Sequence, residues 1–177
     1  MKTLTEHLAN YAGYHRHVRN IQTHFVGIPL IVLSFAALLA GAAVNLGGVT
    51  VSLAMLAWLL SSIFYLRLDL RYGIVMTVLM AGAVSVGHQL AAMPLATWLG
   101  WSIGVFVVGW IIQFIGHYYE GRKPAFVDDI AGLIVGPLFV VAEAGFLLGM
   151  RKEVQAQVEA VAGPVRNGPQ ALGQAAR

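Results

Sequence analysis

Four runs without a formally charged residue, 25–44, 49–66, 72–93 and 95–119, take up about half of this chain. Each is about 18 to 25 residues long, the length a helix needs to cross a hydrocarbon core about 30 Å thick. Backbone in lipid has to hydrogen-bond to itself. The runs therefore predict an all-α, polytopic membrane helical bundle with four transmembrane helices. Charged residues make up 11% of the chain, against about 25% in soluble domains. Asn45-Leu46-Gly47-Gly48, then Arg67 to Arg71, then Pro94, then Glu120 to Pro124 separate the runs. Pro29 is expected in the first turn of the first span, where its missing N–H costs nothing, with His24 just outside. Ahead of the spans, residues 3–18 read as an amphipathic helix lying in the interface, with Leu4, Leu8, Tyr11 and His15 recurring at helical steps.

A fifth run, 130–150, is interrupted by Gly136-Pro137 and carries Glu143. A proline removes a helix hydrogen bond, and a carboxyl at membrane depth needs a partner. Its first piece, 128–135, is about 12 Å long at helical rise, too short to cross. This element is expected to be broken and re-entrant. The basic residues agree. Lys2, Arg16 and Arg19, then Arg67 and Arg71, then Arg122 and Lys123 fall on alternate sides of the spans, and the other loops have none. With the N-terminus in the cytoplasm every positive loop lies inside, and a fifth element that turns back keeps Arg151 and Lys152 inside too. Residues 1–152 are read as one membrane domain, and 153–177 as a short helix with a Gly/Pro/Gln/Ala-rich, disordered tail. No cleaved leader is expected. The net charge of +3 is spread over short loops, which points to orientation in a bilayer and away from nucleic acid.

The chemistry-bearing residues gather on one face. His15, His17, His24 and His117 all fall at the cytoplasmic side, and Gln113 and Glu120 share the helical face of His117. Gln113 is placed to fix the tautomer of that imidazole. With no cysteine in the chain, histidines near carboxylates suit iron, zinc or copper. His7 and His17 read as interfacial residues. His88 lies toward the far end of its span and is expected to bond a neighbouring helix. Glu120, Asp128, Asp129 and Glu143 are candidates for a fourth ligand, a proton relay or supporting bonds, and N-capping alone accounts for at least one of the paired aspartates.

"YHRHVRNIQTHFVGIPL" at 14–30, "GWIIQFIGHYYEGRKPAFVDD" at 109–129 and "GPLFVVAE" at 136–143 resemble the signatures of the membrane-bound, iron-dependent 2-hydroxy fatty acid dioxygenases. The resemblance runs over roughly residues 4–150. Val18 stands where such proteins often have proline. The resemblance implies Fe(II) held by His15, His24 and His117. Beside it, the residues themselves suggest Tyr14 and Asn20 as supporting groups and Glu120 and Glu143 as catalytic carboxyls. It implies O2 and a long-chain 2-hydroxy fatty acid as substrates. The bond between C1 and C2 is cleaved, leaving a fatty acid one carbon shorter. Three imidazoles, two substrate oxygens and O2 fill an octahedral non-haem iron. Arg122 and Lys123 stand where the substrate carboxylate arrives, and an arginine can grip it with two bonds. The implied location is a bacterial inner membrane or an endoplasmic-reticulum-type membrane, with the site facing the cytoplasm. The residues alone leave a small transporter or channel built on Glu143, His88 and the Gly136-Pro137 break, a bis-histidine haem cytochrome and a metal-free scaffold open. They say nothing of oligomeric state.

Overall fold

The computed structural model describes residues 2–168. The chain groups into two compact units, Met1–Ile28 with Ile111–Arg177, and Pro29–Trp110. Among the described residues there are seven α-helices, and three of them, Val18–Gly41 (α2), Leu70–Ala91 (α4) and Leu95–Glu120 (α5), are long and apolar enough to cross a membrane.

In the first unit, α1 (Leu4–Ala12) starts at a reciprocal cap. Thr3 N–H donates to Glu6 Oε2 at 2.7 Å, and Glu6 N–H donates to Thr3 Oγ1 at 3.3 Å. Those bonds satisfy two of the donors that a helix start leaves orphaned. The helix stops at Gly13, well short of the expected residue 18. Its apolar face, Leu4, Leu8 and Ala12, packs on α6 (Gly132–Leu147) and α7 (Lys152–Ala162), where Val154 and Val158 are buried. Each fully buried side chain of that size contributes roughly 1.5–3 kcal/mol.

Three expectations change here. α2 begins at Val18, so His24 lies inside it and Pro29 is interior. The polar stretch Asn20 to His24 forms helix with Asn20 Nδ2, Thr23 Oγ1 and His24 Nδ1 each bonded within the fold. The predicted break at Gly136-Pro137 is absent, since α6 runs through both residues. Gly136 is there for packing: a Cβ would lie 2.9 Å from the Tyr11 hydroxyl and 3.1 Å from Ile28 Cδ1. The bend comes later, at 148–151, where Gly149 and Arg151 adopt positive φ and α7 leaves α6 at 116°. Part of the tail expected to be disordered is also placed. Val18 N–H donates to Arg166 O at 2.9 Å, and Arg166 N–H donates to Arg16 O at 2.8 Å. The rest of that expectation, 169–177, lies outside the described residues.

In the second unit, the expected run from Val49 divides. Ala43–Leu46 (β1) and Val49–Ser52 (β2) pair antiparallel around Gly47-Gly48, both at positive φ. This is the two-residue turn whose twist matches a hairpin. Ser52 then caps α3 (Leu53–Leu68), whose 16 residues fall short of the length for a span. Asp69 ends α3 and caps α4, accepting from Tyr72 N–H at 3.0 Å. α3 and α4 pack so closely that a Cβ on Gly73 would lie 2.6 Å from Leu66 Cα. His88 Nε2 lies 2.9 Å from Ser52 Oγ, so it bonds at the start of another helix, as expected.

Candidate metal centre

α1 ends by handing its last carbonyls to side chains. His15 Nδ1 lies 2.6 Å from Tyr11 O, and Arg16 Nε donates to Ala12 O at 3.1 Å. A carbonyl only accepts, so His15 Nδ1 carries the hydrogen and Nε2 keeps its lone pair. That Nε2 is buried and has no protein partner. His24 repeats the arrangement within α2, its Nδ1 2.8 Å from Asn20 O. On α5, the Nδ1 of His117 is buried without a partner.

The three rings converge. One nitrogen from each of His15, His24 and His117 lies within 4.8 Å of the others. Ring centroids are 4.3 Å apart for His15 and His24, 4.9 Å for His15 and His117, and 5.2 Å for His24 and His117. Imidazole nitrogens bind metals at about 2.0–2.1 Å, so three of them on one ion sit about 3–3.5 Å apart. Small side-chain adjustments close the rest. Burial, reinforced by the neighbouring imidazoles, holds His15 well below the usual histidine range. It is therefore neutral, as a ligand must be. Tyr11 stacks on His15 with centroids 4.1 Å apart, which fixes the ring plane. The three-imidazole donor set, the tautomers of His15 and His24 and the neutral state of His15 fit a first-row transition metal.

Glu120 stands beside the cluster. It accepts from His17 N–H at 2.8 Å and from Asn20 Nδ2 at 3.0 Å, and it pairs with Arg166. Asn20 Nδ2 also donates to Tyr14 O at 3.1 Å. Glu143 pairs with Arg16 Nη2 at 2.6 Å, with both side chains buried. Among the described residues no carboxylate joins the three histidines as a possible ligand group.

Other expected contacts differ. Gln113 does not bond to His117: it is 4% exposed and neither amide atom has a partner. Leaving a buried polar group unsatisfied costs about 1–3 kcal/mol. Arg122 is occupied, Nη1 donating to Gly13 O at 2.7 Å with the guanidinium 5.9 Å over the Tyr14 ring. Lys123 pairs with Asp128, which also accepts from the Tyr14 hydroxyl at 2.8 Å. Asp129 takes Lys2 at 3.2 Å and Ala131 N–H at 3.0 Å, and neither aspartate caps α6. His17 is buried, with Nδ1 accepting from Arg19 N–H at 3.1 Å.

Four residues at the site were not anticipated for their part in it. Arg16, read as a charge that sets orientation, is buried against Glu143, and a carboxyl within an apolar run was the signal that a cation had to meet it. Gly116 lets α5 reach α2, since a Cβ there would lie 2.1 Å from Thr23 Oγ1. A glycine directly before a candidate ligand was its signal. Tyr11 and Arg166 had none beyond their residue type.

The sequence matches, over residues 1–148, the family described as 2-hydroxy-palmitic acid dioxygenase Mpo1-like. The chain belongs to that family. It is 31% identical over 160 residues, covering 88% of this chain and 87% of its relative, to the 2-hydroxy-palmitic acid dioxygenase MPO1 of Saccharomyces cerevisiae. No solved structure matches. All three convergent histidines fall inside the family match, whereas Arg166 falls beyond it.

Proposed function

We propose that this protein is an Fe(II)-dependent dioxygenase that shortens long-chain 2-hydroxy fatty acids by one carbon. The observation that carries the reading is the meeting of His15, His24 and His117, two of them locked by backbone carbonyls with Nδ1 protonated. The relative's name as a 2-hydroxy-palmitic acid dioxygenase supports the substrate class. The reaction balances: a 2-hydroxy acid and one O2 give the shorter acid, CO2 and water, with the bond between C1 and C2 broken and O2 as the four-electron oxidant. When bound, iron supplies O2 activation and two adjacent positions for an α-hydroxy carboxylate.

The chain supplies the rest. His15, His24 and His117 would hold the metal. Arg122 exchanges Gly13 O for the substrate carboxylate, with Lys123 beside it as a second cation. Glu120 and Glu143, held by Arg166 and Arg16, keep the ligand-bearing segments in register, and Tyr14, Asn20, Asp128 and Asp129 brace the same segments. The acyl chain runs away from the interface among helices or lipid. We place residues 1–152 in one membrane domain of four spans, with α3 as a short span, closed by α6 and the bend before α7, and with the site facing the cytoplasm. A porphyrin held by two of these imidazoles would need the space that the third occupies, which disfavours the haem reading.

Protein reconstituted anaerobically with Fe(II) and then given 2-hydroxypalmitate and air should form pentadecanoate, and palmitate should give none. Reconstituted protein that holds iron yet leaves 2-hydroxypalmitate intact would contradict the proposal.

A further inference from the structure

The last turns of α5 are inside out. Gln113, Gly116, His117 and Glu120 are buried, while Ile111, Phe114, Ile115 and Tyr118 are 52%, 53%, 47% and 83% exposed. A helix facing lipid buries its polar stripe against protein. Gly116 fixes where the stripe points, because its missing Cβ would touch Asn20 Oδ1 and Thr23 Oγ1 on α2. Gln113 precedes Gly116 by three residues and His117 by four, so it faces α2 one turn, about 6 Å, below the imidazoles. Arg122 lies five residues beyond His117, on the opposite side of their plane. Gln113 is thus a buried amide beneath the histidine cluster, with donor and acceptor both free of protein partners.

We propose that Gln113 reads the 2-hydroxyl of the substrate and makes the site specific for 2-hydroxy acids. The inference rests on the function proposed above. A 2-hydroxy acid entering with its carboxylate toward Arg122 and its chain toward the membrane interior directs C2 to the Gln113 side. There Oε1 accepts the hydroxyl hydrogen. An unhydroxylated fatty acid leaves Oε1 unpaired, and a site built around a hydroxyl rejects the analogue that lacks it. Phe114 and Ile115 cannot take this part, since they face outward.

The test is equilibrium binding of 2-hydroxypalmitate and palmitate to Zn(II)-loaded protein in detergent, where no turnover occurs. Wild type should prefer the 2-hydroxy acid. Gln113→Met should keep its zinc and reduce that preference about tenfold, with palmitate affinity unchanged within about twofold. Gln113→Glu keeps an acceptor oxygen, so the preference should survive in it even as the added charge weakens both acids together. An unchanged preference in Gln113→Met, or equal weakening of both acids with loss of zinc, overturns the assignment and makes Gln113 a structural support. Should Gln113→Met not fold, loss of the preference in Gln113→Glu overturns it equally. A wild-type protein that holds zinc without preferring the 2-hydroxy acid overturns the functional reading and this assignment together.

Discussion

The ion pair between Arg16 and Glu143 shows what a single residue contributes here. Both side chains are buried, and Arg16 also bonds Ala12 O and His15 O, so it holds the backbone next to one histidine. Removing one partner of a buried pair strands the other charge, at about 3–5 kcal/mol. Arg16→Met should therefore lower the melting temperature sharply, and Arg16→Met with Glu143→Leu should recover most of the loss. Equal destabilisation by the single and double replacements would mean that the pairing itself is not what matters. Asp128 gives a pH prediction. Lys123 and then Tyr14 hold its carboxyl below the usual aspartate value of 3.8. A depressed carboxylate contributes stability that is present above its ordinary value and lost as pH falls through the folded one. Residues 121–131 should keep their amide-exchange protection down to mildly acid pH and loosen only below 3.8. Asp128→Asn should loosen them at neutral pH. Loosening of the wild type between about pH 7 and 5 would contradict this role for Asp128.

At the scale of elements, the site depends on α5 lying against α2 at Gly116. A Cβ there would sit 2.1 Å from Thr23 Oγ1 and 2.5 Å from Asn20 Oδ1. Gly116→Ala should cost about 1–3 kcal/mol by overpacking and weaken metal binding by moving His117 from His24, whereas Gly104→Ala, with open space at its Cβ position, should do neither. Equal metal affinity in the two variants would show that this close approach is not needed. The long apolar runs made α4 and α5 legible in the sequence, because length and hydropathy dominate at that scale. Local rules misled where tertiary contacts overrode them. Pro29 sits inside α2, and Pro137 sits in a continuous α6, as interior prolines can when the surrounding packing outweighs a lost hydrogen bond. The hairpin at 43–52 was written in Gly47-Gly48 and the alternating Val-Thr-Val, but it was hidden by an apolar run that continued through it. His15, His24 and His117 were legible because imidazoles at one depth are a chemical signal, and Arg166 was not, because it reaches Glu120 from a low-complexity tail.

For the whole molecule, the proposed function requires a membrane anchor beside an interfacial metal site. Alternation of basic and uncharged loops predicts that reporter fusions at Leu46 and Ala96 lie outside and that fusions after Lys152 lie inside. An outside signal after Lys152 would overturn the re-entrant arrangement of α6 and α7. The central claim is that the three convergent imidazoles hold the catalytic metal, and metal content measured on purified protein tests it most directly. Wild type and His7→Ala should each carry close to one equivalent of iron after reconstitution, and His15→Ala, His24→Ala and His117→Ala should each carry little while remaining folded. Full iron occupancy in all three single variants would contradict the account.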